Sequence, residues 1–96
     1  MVVHDLIEGA PSAPFTSVLA CELEPRGAVG PHRQEHDAEI VVITSGSGQA
    51  HVDRQPVELV AGVVLQVPLG SVLALRNTGA EPLRYLIVKA TPVPNT

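Results

Sequence analysis

The stretch GAVGPHRQEHDAEIVVITSG, residues 27–46, decides how the chain is read. It sets His32 and Gln34 two residues apart, places Glu39 further on, and closes an apolar run with Gly46-Ser47-Gly48. Side chains alternate along a strand, so positions 32 and 34 share one face, as do Glu39, Val41 and Ile43. If both faces point inward, an imidazole, an amide and a carboxylate converge inside a barrel. Imidazole and carboxylate are donors suited to Zn, Fe, Ni or Mn. A matching stretch, GVVLQVPLGSVLALRN at residues 62–77, runs Gly, apolar run, Pro-x-Gly turn and apolar run, with Leu73 at the place that would complete the site.

Outward from these stretches, the chain is a series of short apolar runs cut by Gly, Pro, Asn and Asp. The strands expected are Thr16–Leu23, Val29–Gln34, Glu39–Ser45, Gln49–Asp53, Val57–Val60, Val63–Val67, Ser71–Arg76 and Leu83–Lys89, each bounded by turn residues. The breakers are Gly46-Ser47-Gly48, Asp53-Arg54-Gln55-Pro56, Pro68-Leu69-Gly70 and Asn77-Thr78-Gly79. They leave almost no window long enough for an amphipathic helix. Residues Val3–Gly9 suit either a short helix or a strand. The tail Thr91-Pro92-Val93-Pro94 cannot join a central strand and is expected to fray, giving a core of residues 16–90 and a flexible 91–96. About eight short, evenly spaced strands make an all-β sandwich or barrel.

Ile40-Val41-Val42-Ile43 and Leu86-Ile87-Val88 are apolar without a break. A strand buried on one face alternates instead. Continuous runs imply covered outer faces, and in so small a domain a second copy is the simplest cover, so a homodimer is expected.

These residues resemble the small single-domain cupins. The family's first motif runs Gly, His-x-His, Glu, Gly, and here reads Gly27, His32-Arg33-Gln34, Glu39, Gly46. The second runs Gly, Pro-x-Gly, His, Asn, and here reads Gly62, Pro68-Leu69-Gly70, Leu73, Asn77. The turn Asn77-Thr78-Gly79-Ala80-Glu81-Pro82-Leu83 also looks like the family, and the resemblance spans Val18 to Lys89. It implies the double-stranded β-helix, a jelly-roll barrel of about eight strands. It also implies a divalent metal held by two His and a Glu of the first motif and a His of the second. This chain keeps His32 and Glu39 but has Gln34 and Leu73 at the other two places. A Gln carbonyl is a weak neutral ligand and Leu73 contributes none, so the metal set is His32, Gln34 and Glu39, with His36 as a substitute if the strand stays extended. A structural zinc takes four ligands and a catalytic zinc three.

His32 is better read as a pocket hydrogen-bonder paired with Glu39, an arrangement that favours the charged imidazole beside a dry pocket. Leu73 and Tyr85 complete the expected ligand pocket with His32, Gln34 and Glu39. Tyr85 also suits core packing, its hydroxyl reaching a partner. His4, His51 and Arg33 are read as surface residues, and the lone Cys21 as a half-buried strand residue.

At 96 residues the chain supports one domain, 1–96. Folding at this size hides roughly 60–68% of the unfolded surface. With one Phe, one Tyr and no Trp, the core must be aliphatic. Scarce aromatics and a net charge of −4 argue against nucleic-acid binding. One cysteine cannot form an intrachain disulfide. No signal peptide or membrane-spanning segment is read, so a cytoplasmic location is expected. The function expected is binding of a small ligand in the barrel. The alternative is a metal-dependent enzyme of dioxygenase, isomerase or cyclase type, and a third reading is a purely structural domain.

Overall fold

The computed structural model describes residues 1–92. Nine strands run β1 (Val2–Asp5), β2 (Phe15–Leu23), β3 (Ala28–Arg33), β4 (Ala38–Ser45), β5 (Gly48–Val52), β6 (Gln55–Leu59), β7 (Val64–Val67), β8 (Val72–Asn77) and β9 (Leu83–Ala90). They form two antiparallel sheets, ordered β1-β2-β9-β4-β7 and β3-β8-β5-β6. Among the described residues there is no helix, and so none long and apolar enough to cross a membrane. The eight expected strands are all present, and β1 settles the N-terminal alternative in favour of a strand.

Period-two patterning places the core between the sheets. In β4 the buried positions are Glu39, Val41 and Ile43, while Ile40 and Thr44 are exposed. In β8 they are Leu73, Leu75 and Asn77. Leu23, Val41, Ile43, Leu59, Val67, Leu83 and Tyr85 are almost wholly shielded, so the aliphatic core required by the composition is realised with Tyr85 as its one aromatic. Each such side chain contributes roughly 1.5–3 kcal/mol relative to exposure.

Two turns differ from the sequence expectation. The breaker at residues 53–56 is only a two-residue hairpin loop. Asp53 and Arg54 take φ of 49° and 69°, as a tight hairpin of the I′ kind demands. Pro56 lies inside β6 opposite His51. β6 is a sheet edge, where a missing N–H is tolerated. At the C-terminal end, Thr91 is tied down rather than frayed. Its N–H donates to the Pro14 carbonyl at 2.8 Å and its hydroxyl to Asp37 at 3.3 Å. The rest of the expected flexible tail, residues 93–96, lies outside the described residues.

Polar stitches hold the strand ends. Asp53 accepts the Val72 N–H at 2.9 Å and the Ser71 hydroxyl at 2.8 Å, joining the β5–β6 hairpin to the start of β8. The Val72 N–H, then the Ser71 hydroxyl, hold its carboxyl below the usual aspartate range. Asn77 is buried at the far end of β8. Its amide donates to the carbonyls of Leu23 and Glu81 at 2.9 and 2.8 Å, and its oxygen accepts the Gly79 N–H at 2.9 Å. One side chain thus ties the end of β2 to the turn leading into β9.

Asn77→Ala should lower stability by about 2–4 kcal/mol, because buried carbonyls lose their donors. Asn77→Asp should be worse at neutral pH, since a carboxylate would face two carbonyls. Urea unfolding midpoints check both. For Asp53, a carboxyl titrating lower when folded stabilises above the ordinary aspartate range and loses that contribution as pH falls through its lowered value. Midpoints followed from neutral to acid pH should therefore show Asp53→Asn weaker at neutral pH and flatter through the acid limb.

Candidate functional site

The inner face of the five-stranded sheet is laid out in rows by its register. Ser17, Lys89, Glu39 and Val67 lie side by side across β2, β9, β4 and β7. The next inward rows are Leu19–Ile87–Val41–Leu65 and Val3–Cys21–Tyr85–Ile43. Opposite them, β3 and β8 of the other sheet bring His32 beside Leu73. Gly30 makes that approach feasible. It takes φ of 83° at the bulge in β3, and a Cβ there would sit 2.5 Å from the Leu73 carbonyl. β3 ends at Arg33, one residue short of the expected Gln34. The Gln34 backbone is nevertheless fixed, its N–H donating to Ser71 at 2.9 Å and its carbonyl accepting from Gly70 at 2.7 Å.

Between the sheets lies a cavity of about 200 Å³. His32, Gln34, Glu39, Leu73 and Tyr85 all line it, so the five residues named from sequence meet in one place. Gln34, Glu39, Leu73 and Tyr85 are buried, while His32 is exposed. His36 is exposed and does not line this cavity; it lies in an adjoining surface depression with Glu35 and Asp37, which shares His32, Gln34 and Lys89 with the cavity. His4, His51 and Arg33 are exposed, and Arg33 donates to the Gly70 carbonyl at 2.6 Å. Cys21 is fully rather than half buried.

The pairing of His32 with Glu39 expected from sequence is not made. The charge partner of Glu39 is the Lys89 ammonium, 3.5 Å from its carboxylate. The reason is topological. Glu39 and Lys89 are cross-strand neighbours within one sheet, whereas His32 belongs to the opposite sheet. Lys89 was not singled out from sequence, although it continues the inward parity of Tyr85 and Ile87 on the last strand. Met1 and Val3 were missed as well. They line the cavity from β1 and the residue before it, and the Met1 thioether accepts the Tyr85 hydroxyl at 3.3 Å.

Two further groups of the cavity, Tyr85 and Cys21, are held protonated. Burial pushes the Tyr85 phenol well above its ordinary range, helped by repulsion from Cys21 and Glu39. Burial likewise raises the Cys21 thiol, with Glu39 adding to the rise and Lys89 opposing it. At neutral pH the thiol is therefore no activated nucleophile.

The family's metal does not fit these donors. Among the described residues no three of His, Cys, Asp and Glu gather to hold an ion. The set His32, Gln34, Glu39 offers one imidazole, one neutral amide and a carboxylate already facing an ammonium. Leu73 fills the remaining place with hydrocarbon.

Solved structures give close matches to the fold. A predicted oxalate decarboxylase from Thermotoga maritima is 29% identical, with a TM-score of 0.78, covering 82% of this chain and 69% of that one. A Cupin 2 conserved barrel domain protein from Salinispora arenicola is 25% identical, with a TM-score of 0.79 and coverage of 92% and 73%. The cupin domain of Schizosaccharomyces pombe Cnp3, 21% identical, has a TM-score of 0.83 over 94% of this chain and 64% of that one, a likeness of fold alone. A comparison with curated proteins gave no match. The cupin domain family model matches residues 19–89, and with the double-stranded β-helix built as above, the chain belongs to the cupin family.

Proposed function

We propose that the barrel cavity binds a small molecule, with an apolar body and one polar end, without a tightly held divalent metal. The observation that carries this reading is the Glu39–Lys89 pair, which puts a cation on the buried carboxylate that a metal would otherwise neutralise. Leu19, Val29, Leu73, Leu75 and Ile87 supply apolar wall, and His32, Gln34, Glu39 and Lys89 supply the polar groups. An apolar pocket with a few convergent polar side chains is the usual form of a small-ligand site. At about 200 Å³ the cavity falls below the ~300–1,000 Å³ that drug-sized ligands occupy. The ligand is accordingly small, and Lys89 and His32 offer donors to an acceptor group such as a carboxylate.

The second reading is an enzyme. It draws on the 29% identity to the predicted oxalate decarboxylase. A metal-dependent reaction would need donors that positions 34 and 73 do not provide.

Elemental analysis of untagged protein after exhaustive dialysis separates the two. The binding reading expects far less than one metal per chain, and a retained metal near one per chain would overturn it. Unfolding temperatures measured against a panel of small carboxylates and sugars should rise for a true ligand, by the equivalent of about 2.7 kcal/mol at a hundredfold excess over its Kd. Lys89→Met should abolish that rise for an acidic ligand. The double variant Gln34→His with Leu73→His should gain divalent-metal affinity. An unchanged affinity would mean that 34 and 73 do not converge with His32 closely enough to share an ion.

A further inference from the structure

The outer face of the four-stranded sheet gathers cations that the rest of the chain does not balance. Of the six Lys and Arg side chains in a chain of net charge −4, Arg84 and Lys89 are paired with Glu22 and Glu39. Among the described residues Arg26, Arg33, Arg54 and Arg76 have no carboxylate within ion-pair distance. Arg33 and Arg54 line one groove of about 640 Å³, together with His51, Asp53 and an apolar floor of Pro31, Val72 and Ala74. None of these residues lines the barrel cavity, which lies on the other side of the sheet.

Strand order sets the two guanidinium groups on either side of β8. Arg33 lies on β3 opposite Val72, and Arg54 follows β5, so the two flanking backbones are about 10 Å apart. Each side chain is anchored. Arg33 donates to the Gly70 carbonyl at 2.6 Å, which fixes it and leaves most of its fork free. Arg54 rides on a hairpin that Asp53 ties to β8 through the Val72 N–H and the Ser71 hydroxyl. That tie occupies both Asp53 oxygens. Arg33 adds a smaller pull on the same carboxyl, so one positive charge is offset and Arg54 keeps the groove net cationic. His51, exposed and opposite Ala74, adds a ring N–H. Arg54 is also an unusual residue for its place. It takes φ of 69°, where hairpin turns of this kind favour glycine. A cationic side chain kept where the backbone disfavours it points to a use for that side chain.

We propose that this groove binds a small organic oxyanion, a phosphate or carboxylate on an apolar body, at a second site separate from the barrel cavity. Guanidinium forks match the paired oxygens of both groups and hold them through bidentate, charge-assisted hydrogen bonds. The apolar body rests on Val72, Ala74 and Pro31, between the two arginines. The volume falls within the ~300–1,000 Å³ usual for small-molecule sites. A nucleic-acid strand would need stacking rings as well as cations, and no aromatic side chain lines the groove.

Amide chemical-shift mapping by NMR tests the site, with phenyl phosphate and benzoate as probes and benzyl alcohol as the neutral control. Ionic strength is held constant, so that screening is not mistaken for competition. At least one anion should give saturable shifts at His51, Arg54, Val72 and Ala74, and the tighter of the two names the preferred group. Arg54→Gly should raise the Kd about tenfold or more, as loss of a charge-assisted contact does. Glycine suits the positive φ, so the same variant should stay folded with a higher urea midpoint. Arg33→Gln should weaken binding likewise, and if it does not fold, Arg54→Gly decides alone. Arg84→Gln removes a cation from the other sheet and should leave the Kd unchanged. The proposal is overturned if neither anion gives saturable shifts, or if benzyl alcohol binds equally well. It is overturned too by wild-type affinity in Arg54→Gly, or by affinity lost in Arg84→Gln. Shifts confined to Tyr85 and Ile87 would also overturn it, while leaving the barrel cavity as a ligand site.

Discussion

A carboxylate inside an aliphatic barrel has to be neutralised, and the arrangement of the site follows from how this one is. Glu39 is only 6% exposed. An unpaired charge at such a position costs several kcal/mol, even after the protein relaxes around it. Lys89 meets the need from the adjacent strand, with its own side chain 29% exposed. That partial exposure keeps the ammonium hydrated on one side, so the penalty for burying two charges is not incurred in full. The position of β9 between β2 and β4 is therefore more than a matter of topology. It sets Lys89 opposite Glu39 and, two and four residues earlier, Ile87 and Tyr85 on the same cavity wall.

Most of the fold was legible in the sequence because turn chemistry and period-two patterning speak for themselves in a chain so rich in Gly and Pro. The Asn77 turn, the Pro68-Leu69-Gly70 turn and the alternating β8 could each be placed from residues alone. Three things could not. β1 reads Val-Val-His-Asp and stays exposed throughout, so it carries no alternation to distinguish strand from helix. It owes its structure to backbone pairing with β2, which no local pattern reveals. Pro56 looked like a breaker because an edge strand cannot be recognised before the sheet order is known. The His32–Glu39 pairing failed for the same reason. Parity tells which side chains face inward, but not which sheet each strand joins, and a cross-strand neighbour within a sheet is closer than a residue facing it from across the core. Lys89 shares the inward parity of Tyr85 and Ile87 but lies outside the two motifs that carry the resemblance.

β1 has a second consequence, in the cavity itself. Met1 and Val3 close one side of it with apolar side chains, and the Met1 sulfur satisfies the Tyr85 hydroxyl, which would otherwise be buried without an acceptor. A buried phenol lacking a partner costs about 1–3 kcal/mol. An edge strand with little burial of its own is thereby coupled to the largest buried side chain of the core. With Tyr85 and Cys21 both held protonated by burial, the chemistry of the cavity narrows to the end formed by His32, Gln34, Glu39 and Lys89.

At that end the departures from the family's ligand pattern are mutually consistent. Leu73 stands directly across from His32, so hydrocarbon faces the imidazole where a second imidazole would help hold an ion. Gln34 supplies an amide, which carries no charge and takes no part in neutralising Glu39. Either change alone would leave a weakened metal site beside a buried carboxylate. The ammonium of Lys89 removes that difficulty, because the carboxylate is neutralised whether or not an ion is present. A divalent ion entering the cavity would have to displace Lys89 from Glu39, lose water, and accept one imidazole and one amide in return. Each part of that exchange is unfavourable compared with a site that offers three imidazoles to a free carboxylate. A small acidic molecule faces no such exchange, since it can approach the exposed side of Lys89 while Glu39 holds the other.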